Sequence, residues 1–140
     1  MTDLRAEAAS FSWLLEKFVS ETVGVTDTIA VSSDGLLLAA AMTTKPENVD
    51  RFSAIVCGMN SLTRGAADCF DQEDVVQVVV ELTGCFLFIA RISEGSCLGV
   101  IAERGCDVGL VAYEMTMLVD RAGKALTPAL VRELQNQLIS

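Results

Sequence analysis

Five cysteines, Cys57, Cys69, Cys85, Cys97 and Cys106, and a run of carboxylates, Asp68, Asp71, Glu73 and Asp74, are the side chains here best suited to chemistry. Thiolates attack electrophiles, bind metals and carry redox reactions. Clustered carboxylates move protons or hold a hard cation. Neither set has the spacing its chemistry needs. No two cysteines form a CxxC pair and the chain has no histidine. A zinc site therefore lacks its usual ligands, and a Ser or Cys triad lacks its base. Cys85 and Cys97 fall in apolar runs, where a free thiol behaves as a small hydrophobe, so the cysteines are read as buried and reduced. The carboxylates show no EF-hand spacing and no apolar pocket beside them, and read as a solvated loop after a helix. There is no P-loop, GxGxxG or GxSxG. The expectation is no catalytic turnover, no cofactor and no metal.

Charge narrows the partners further. The formal net charge is −9 with ten Lys plus Arg, and no basic run occurs. Nucleic acids and anionic membranes both require a cationic footprint, so neither is expected as a direct partner. Of the 140 residues 51% are apolar, and mean hydropathy is +0.46. That excess calls for a sheet covered on both faces or a surface buried against a partner. No apolar run approaches the roughly 20 residues of a membrane span. Residues 1–10 carry no signal-like apolar core, and a cytoplasmic location is expected.

The elements that would position these side chains follow from periodicity. Asp3 caps a first helix with Leu4, Ala8, Phe11, Leu14, Leu15 and Phe18 on one stripe, closed by Gly24. Trp13 lies off that stripe and reads as a partly buried aromatic. Apolar runs at 28–31 and 36–41 flank Ser32-Ser33-Asp34-Gly35, a strong hairpin signal. Residues 43–48 form a loop in which Pro46 blocks either neighbour from running through. Residues 49–70 form the longest helix, with Phe52, Ile55, Val56, Met59, Leu62, Ala66 and Phe70 as its core stripe. Three strands follow at 75–82, 85–92 and 97–102. Asp107 caps another helix, closed by Gly123, and Thr127-Pro128 starts a last amphipathic one. The fold class is α+β, a five-stranded antiparallel sheet with helices on both faces. The domain is expected to span residues 1–125, with 126–140 a helical extension that packs, swaps or frays.

Two stretches look unsatisfied in a single chain. Ala54, Gly58, Ser61 and Gly65 share one face of the long helix, and an interior Gly costs a helix about 1 kcal/mol relative to Ala. Close approach of another backbone would account for them, either from the protein's own sheet or from a second copy. Strand 75–82 is flat and free of Pro and Lys, a poor exposed edge. That strand should be paired with something.

In this order of elements the sequence resembles the roadblock / dynein light chain 7 domain family over nearly its whole length. The likeness is carried by Trp13-Leu14-Leu15, by 31–39 (VSSDGLLLA), by the glycine-bearing second helix, by Phe86-Leu87-Phe88 with the Gly95-Ser96 turn, by Val111-Ala112-Tyr113-Glu114-Met115 and by Leu126-Thr127-Pro128. It is most similar to bacterial members encoded beside a small Ras-like GTPase and a sensor-kinase-like protein in conservon-type clusters. The resemblance implies the roadblock (profilin-like) fold and a non-enzymatic homodimer that pairs its third strands and presents its second helices to the GTPase. In this chain Ala54, Gly58, Ser61, Gly65, Val76, Val78 and Val80 would form the dimer interface. Asp50, Arg51, Asn60 and Arg64 would form a rim facing the GTPase. The alternatives are a profilin/PAS-like small-ligand sensor, for which the sequence marks no converging polar groups, and a cysteine-based redox enzyme.

Overall fold

Helix α1, Leu4–Glu21, starts where the sequence places it, because the Asp3 carboxylate accepts the Arg5 N–H at 3.0 Å and the Ala6 N–H at 3.4 Å. These are two of the donors that a helix start leaves unpaired. The helix ends on Thr22, and Gly24 at φ +93° turns the chain into strand β1, Val25–Val31. The computed structural model describes residues 3–93 and 95–139. After β1 come β2 (Leu37–Ala41), α2 (Pro46–Cys69), β3 (Val78–Glu81), β4 (Cys85–Ser93), β5 (Ser96–Glu103), α3 (Val108–Ala125) and α4 (Pro128–Ile139).

The strands form one antiparallel sheet in the order β2-β1-β5-β4-β3. Alternation divides its side chains cleanly. Ala30, Leu38, Phe88, Leu98, Val100 and Ala102 point to one face and pack with Phe11, Leu15, Val111, Met115, Leu130 and Leu134 from α1, α3 and α4. Ile29, Val31, Leu87, Ile89 and Cys97 point to the other, where α2 contributes Val56. Fully burying a side chain such as Phe11 or Leu15 is worth about 1.5–3 kcal/mol, and this first cluster holds most of them. Helix α4 docks on α1 and β2, with Thr127 Oγ1 capping the Leu130 N–H at 3.1 Å. Thr28 sits wholly buried in β1 with a hydroxyl that has no partner among the described residues.

Several boundaries differ from the sequence reading. Pro46 opens α2 rather than blocking it, since the first helical position needs no N–H and favours the fixed φ of proline. Helix α2 closes through Asp71, which takes φ +56° while the Gln72 N–H reaches back to the Ala67 carbonyl at 2.8 Å. One carboxylate of the supposed solvated loop is therefore a helix stop, as Asp tolerates the left-handed conformation better than most residues. Gly123 does not end α3. It lies inside the helix, where a Cβ would come within 3.3 Å of the Ile92 carbonyl oxygen, so it allows α3 to lie close to β4.

Candidate interaction surface

Helix α2 meets the sheet along a narrow line. Val56 and Ser53 are buried, Phe52 and Met59 are half-buried, and the Ser53 hydroxyl is absorbed by the Val49 carbonyl at 2.9 Å. The close approach depends on Gly99 at the centre of β5. A Cβ there would stand 2.6 Å from Val56 Cγ2 and 3.1 Å from Ile29 Cγ2. The glycine that serves helix-on-sheet packing is therefore on the strand, and the sequence reading missed it.

Ala54, Gly58, Ser61 and Gly65 are all exposed on the opposite side of α2, and nothing lies within 4 Å of a Cβ built on Gly58 or Gly65. Packing on the chain's own sheet does not explain these small residues. The expected core stripe also splits. Phe52, Val56 and Met59 face the sheet, whereas Ile55, Leu62 at 72% and Phe70 at 75% exposure face outward. The reason is geometric: the apolar arc of α2 is wider than the strip of sheet beneath it, and the surplus stays uncovered.

The sheet edge beside this face is uncovered as well. Strand β3 is shorter than expected, and pairs with β4 from Val78↔Ile89 to Glu81↔Phe86. Val78 and Val80 lean half-buried against the α2 cluster, Val79 is exposed on the other face, and Val76 precedes the strand at 89% exposure. The approach to β3 is pinned by charge, because Asp74 Oδ1 receives Arg64 Nη1 at 3.2 Å and Arg91 Nη1 at 3.4 Å. Its far end is held by Arg104, which reaches Glu81 at 2.8 Å and the Leu82 carbonyl at 3.0 Å and stands 5.4 Å from the Phe86 ring centroid. Of the rim residues expected from sequence, Asp50 and Arg51 are exposed and Asn60 is half-buried. Arg64 spends its guanidinium on Asp74.

The cysteines do not fit the buried reading as a group. Cys97 is buried, and loss of hydration, helped by Cys57 and only partly offset by the Arg91 guanidinium, pushes its thiol up to about 11. Burial and the neighbouring Glu103 and Asp107 raise Cys106. Cys57, Cys85 and Cys106 are half-buried, and Cys69 is exposed on α2. Raised values leave less thiolate, the reverse of what a reactive cysteine needs. Among the described residues no group of three or more Cys, Asp and Glu is placed to hold a metal ion. No described helix is long and apolar enough to cross a membrane.

A second patch lies on the other side of the molecule. Trp13, Leu110, Tyr113 and Met117 are exposed along α1 and α3, with Lys17 Nζ 4.9 Å from the Trp13 ring centroid. Trp13, read from the sequence as a partly buried aromatic, is thus 54% exposed with an ammonium over its ring.

A Roadblock/LC7 domain family model matches residues 11–102, from within α1 into β5. The chain belongs to the Roadblock/LC7 family. A Roadblock/LC7 domain from Streptomyces avermitilis is 32% identical over 92% of this chain and 98% of that one, with a TM-score of 0.71. Myxococcus xanthus MglB, 16% identical over 82% of this chain and 93% of its own, superposes with a TM-score of 0.76. Acanthamoeba castellanii profilin II, 14% identical over 81% and 97%, gives 0.56, so the roadblock fold here extends to profilin in architecture. No curated protein matches the chain in sequence. The Roadblock/LC7 match ends within β5, so α3 and α4 lie beyond the matched segment.

Proposed function

We propose that this Roadblock/LC7 protein is a non-enzymatic regulatory or scaffold subunit that homodimerises and binds a small Ras-like GTPase, modulating its nucleotide cycle within a signalling complex. The observation that carries the reading is the outward half of α2 together with the open β3 edge. Small residues, exposed Ile55 and Leu62, and an unpaired strand edge lie side by side with nothing among the described residues to cover them. A twin β3 would satisfy the edge, and two α2 helices would then lie together through Ala54, Gly58, Ser61 and Gly65. The GTPase rests on the family resemblance. Asp50, Arg51 and Asn60 remain as a polar rim for it, while Arg64 acts mainly by holding the segment before β3 through Asp74. A sensor-kinase-like protein would be a further member of the complex.

Light scattering at micromolar concentration should give twice the protomer mass, and a monomer would refute the dimer. With a small Ras-like GTPase co-expressed, Arg51→Glu should slow association and leave the dimer intact. Unchanged association by Arg51→Glu, with binding lost in Trp13→Ala, would put the GTPase on the α1–α3 face instead.

A further inference from the structure

At one end of the sheet the β1–β2 turn, Ser93 at the end of β4, Ser96 at the start of β5 and the α3–α4 junction line a cavity of about 600 Å³. Its polar lining comes from Ser33, Ser93, Ser96, Lys124, Thr127 and Arg132. Ser96 is only 6% exposed, yet its hydroxyl has no hydrogen-bond partner among the described residues. It lies two positions before Leu98, on the sheet face that α3 and α4 cover. Its hydroxyl opens on the cavity and is free to donate to a ligand oxygen. Ser32 is different, since its hydroxyl is taken up within the turn by Asp34 and Leu36.

Two cationic side chains, Lys124 and Arg132, line the cavity in a chain whose net charge is −9. Arg132 has no ion pair among the described residues. Lys124 meets Asp120 at 3.2 Å, but both are mostly exposed, and such a surface pair competes weakly with a bound anion. Helix α4 points its amino end at the same region, and its Ala129 N–H has no acceptor among the described residues. Helix starts, free hydroxyls and a guanidinium together suit a tetrahedral oxyanion. The volume far exceeds that of an inorganic ion, and Leu126, Pro128 and Val131 supply an apolar wall for an organic body.

We propose that this cavity binds a small phosphomonoester, with the phosphate held by Ser93, Ser96, Arg132 and the start of α4, and the organic part against Leu126, Pro128 and Val131. Such a site would make the protein responsive to a metabolite at a place well away from the α2 face. It does not depend on the dimer or the GTPase.

The test is titration of the full chain with inorganic phosphate, a hexose phosphate and adenosine monophosphate at constant ionic strength, followed by amide NMR. Saturable shifts confined to residues 32–33, 93, 95–96 and 124–132 are expected, with at least one ester binding about tenfold more tightly than phosphate. Arg132→Gln should weaken that ester by about tenfold, the loss of one charge-assisted hydrogen bond, with the rest of the spectrum unchanged. Ser96→Ala should weaken it several-fold with the rest of the spectrum unchanged. Absence of saturable shifts with all three probes would overturn the proposal, as would equal binding by Arg132→Gln and Ser96→Ala. Equal affinity for phosphate and both esters would overturn the organic subsite.

Discussion

On one face of the sheet three helices, α1, α3 and α4, enclose a continuous core running from Ala8 to Leu134. On the other a single helix of 24 residues touches the sheet through Val56 and its neighbours and leaves Ile55, Leu62 and Phe70 in solvent. Both faces are built from equally apolar strands, so hydrophobicity alone does not separate them. What separates them is coverage. A face closed by its own chain contributes to folding, whereas a face left open keeps its apolar area for an association step.

The sharpest way to break this comparison is a charge on the open face. Leu62→Asp should leave the protomer folded, because Leu62 is already exposed, and should weaken self-association by about 3 kcal/mol or more, over a hundredfold in Kd. Sedimentation across a dilution series would check it, and an unaltered dimer would exclude the outward half of α2 from the interface. The next effect concerns two glycines on either side of the same helix. Gly99→Ala forces a Cβ against Val56 and should destabilise the fold by about 1–3 kcal/mol in urea. Gly58→Ala, measured in the Leu62→Asp background, meets nothing and should stabilise by up to about 1 kcal/mol through helix propensity. Equal signs for the two would contradict the assigned faces. The smallest effect belongs to the closed side, where Thr28→Val replaces a buried unpartnered hydroxyl with a methyl and should raise stability by about 1 kcal/mol, seen as a higher Tm.

Much of the fold is legible in the sequence because its signals are local. Asp3 and Asp107 cap helices through their own neighbours, and Ser32–Gly35 turns within itself. The misread features are those whose meaning is set elsewhere. Gly123 resembles a helix stop until Ile92 is seen beside it, and the purpose of Gly99 appears only with Val56 over it. Periodicity placed Ile55 and Leu62 in a core stripe because apolar spacing marks surface that seeks cover without saying which molecule provides it. The cavity around Ser96 was invisible for a related reason, since Ser33, Ser93 and Arg132 come from three distant parts of the chain. Arg64 was legible as a charge but not as a partner of Asp74, ten residues on.

The sheet order has a consequence for how the chain comes together in time. Strand β1 sits between β2 and β5, so Ile29 must find Gly99, seventy residues later, with the β1–β2 hairpin and the β3–β4–β5 meander on opposite sides of that seam. Each half can form from near neighbours, but joining them carries the loop-closure entropy of everything between. During synthesis the N-terminal half must wait, its β1 edge unpaired, until β5 leaves the ribosome. The segment between α2 and β3 spans the two halves and contributes no strand, so a chain cut there yields two fragments that meet along a ready-made antiparallel seam, the geometry required for a split reporter.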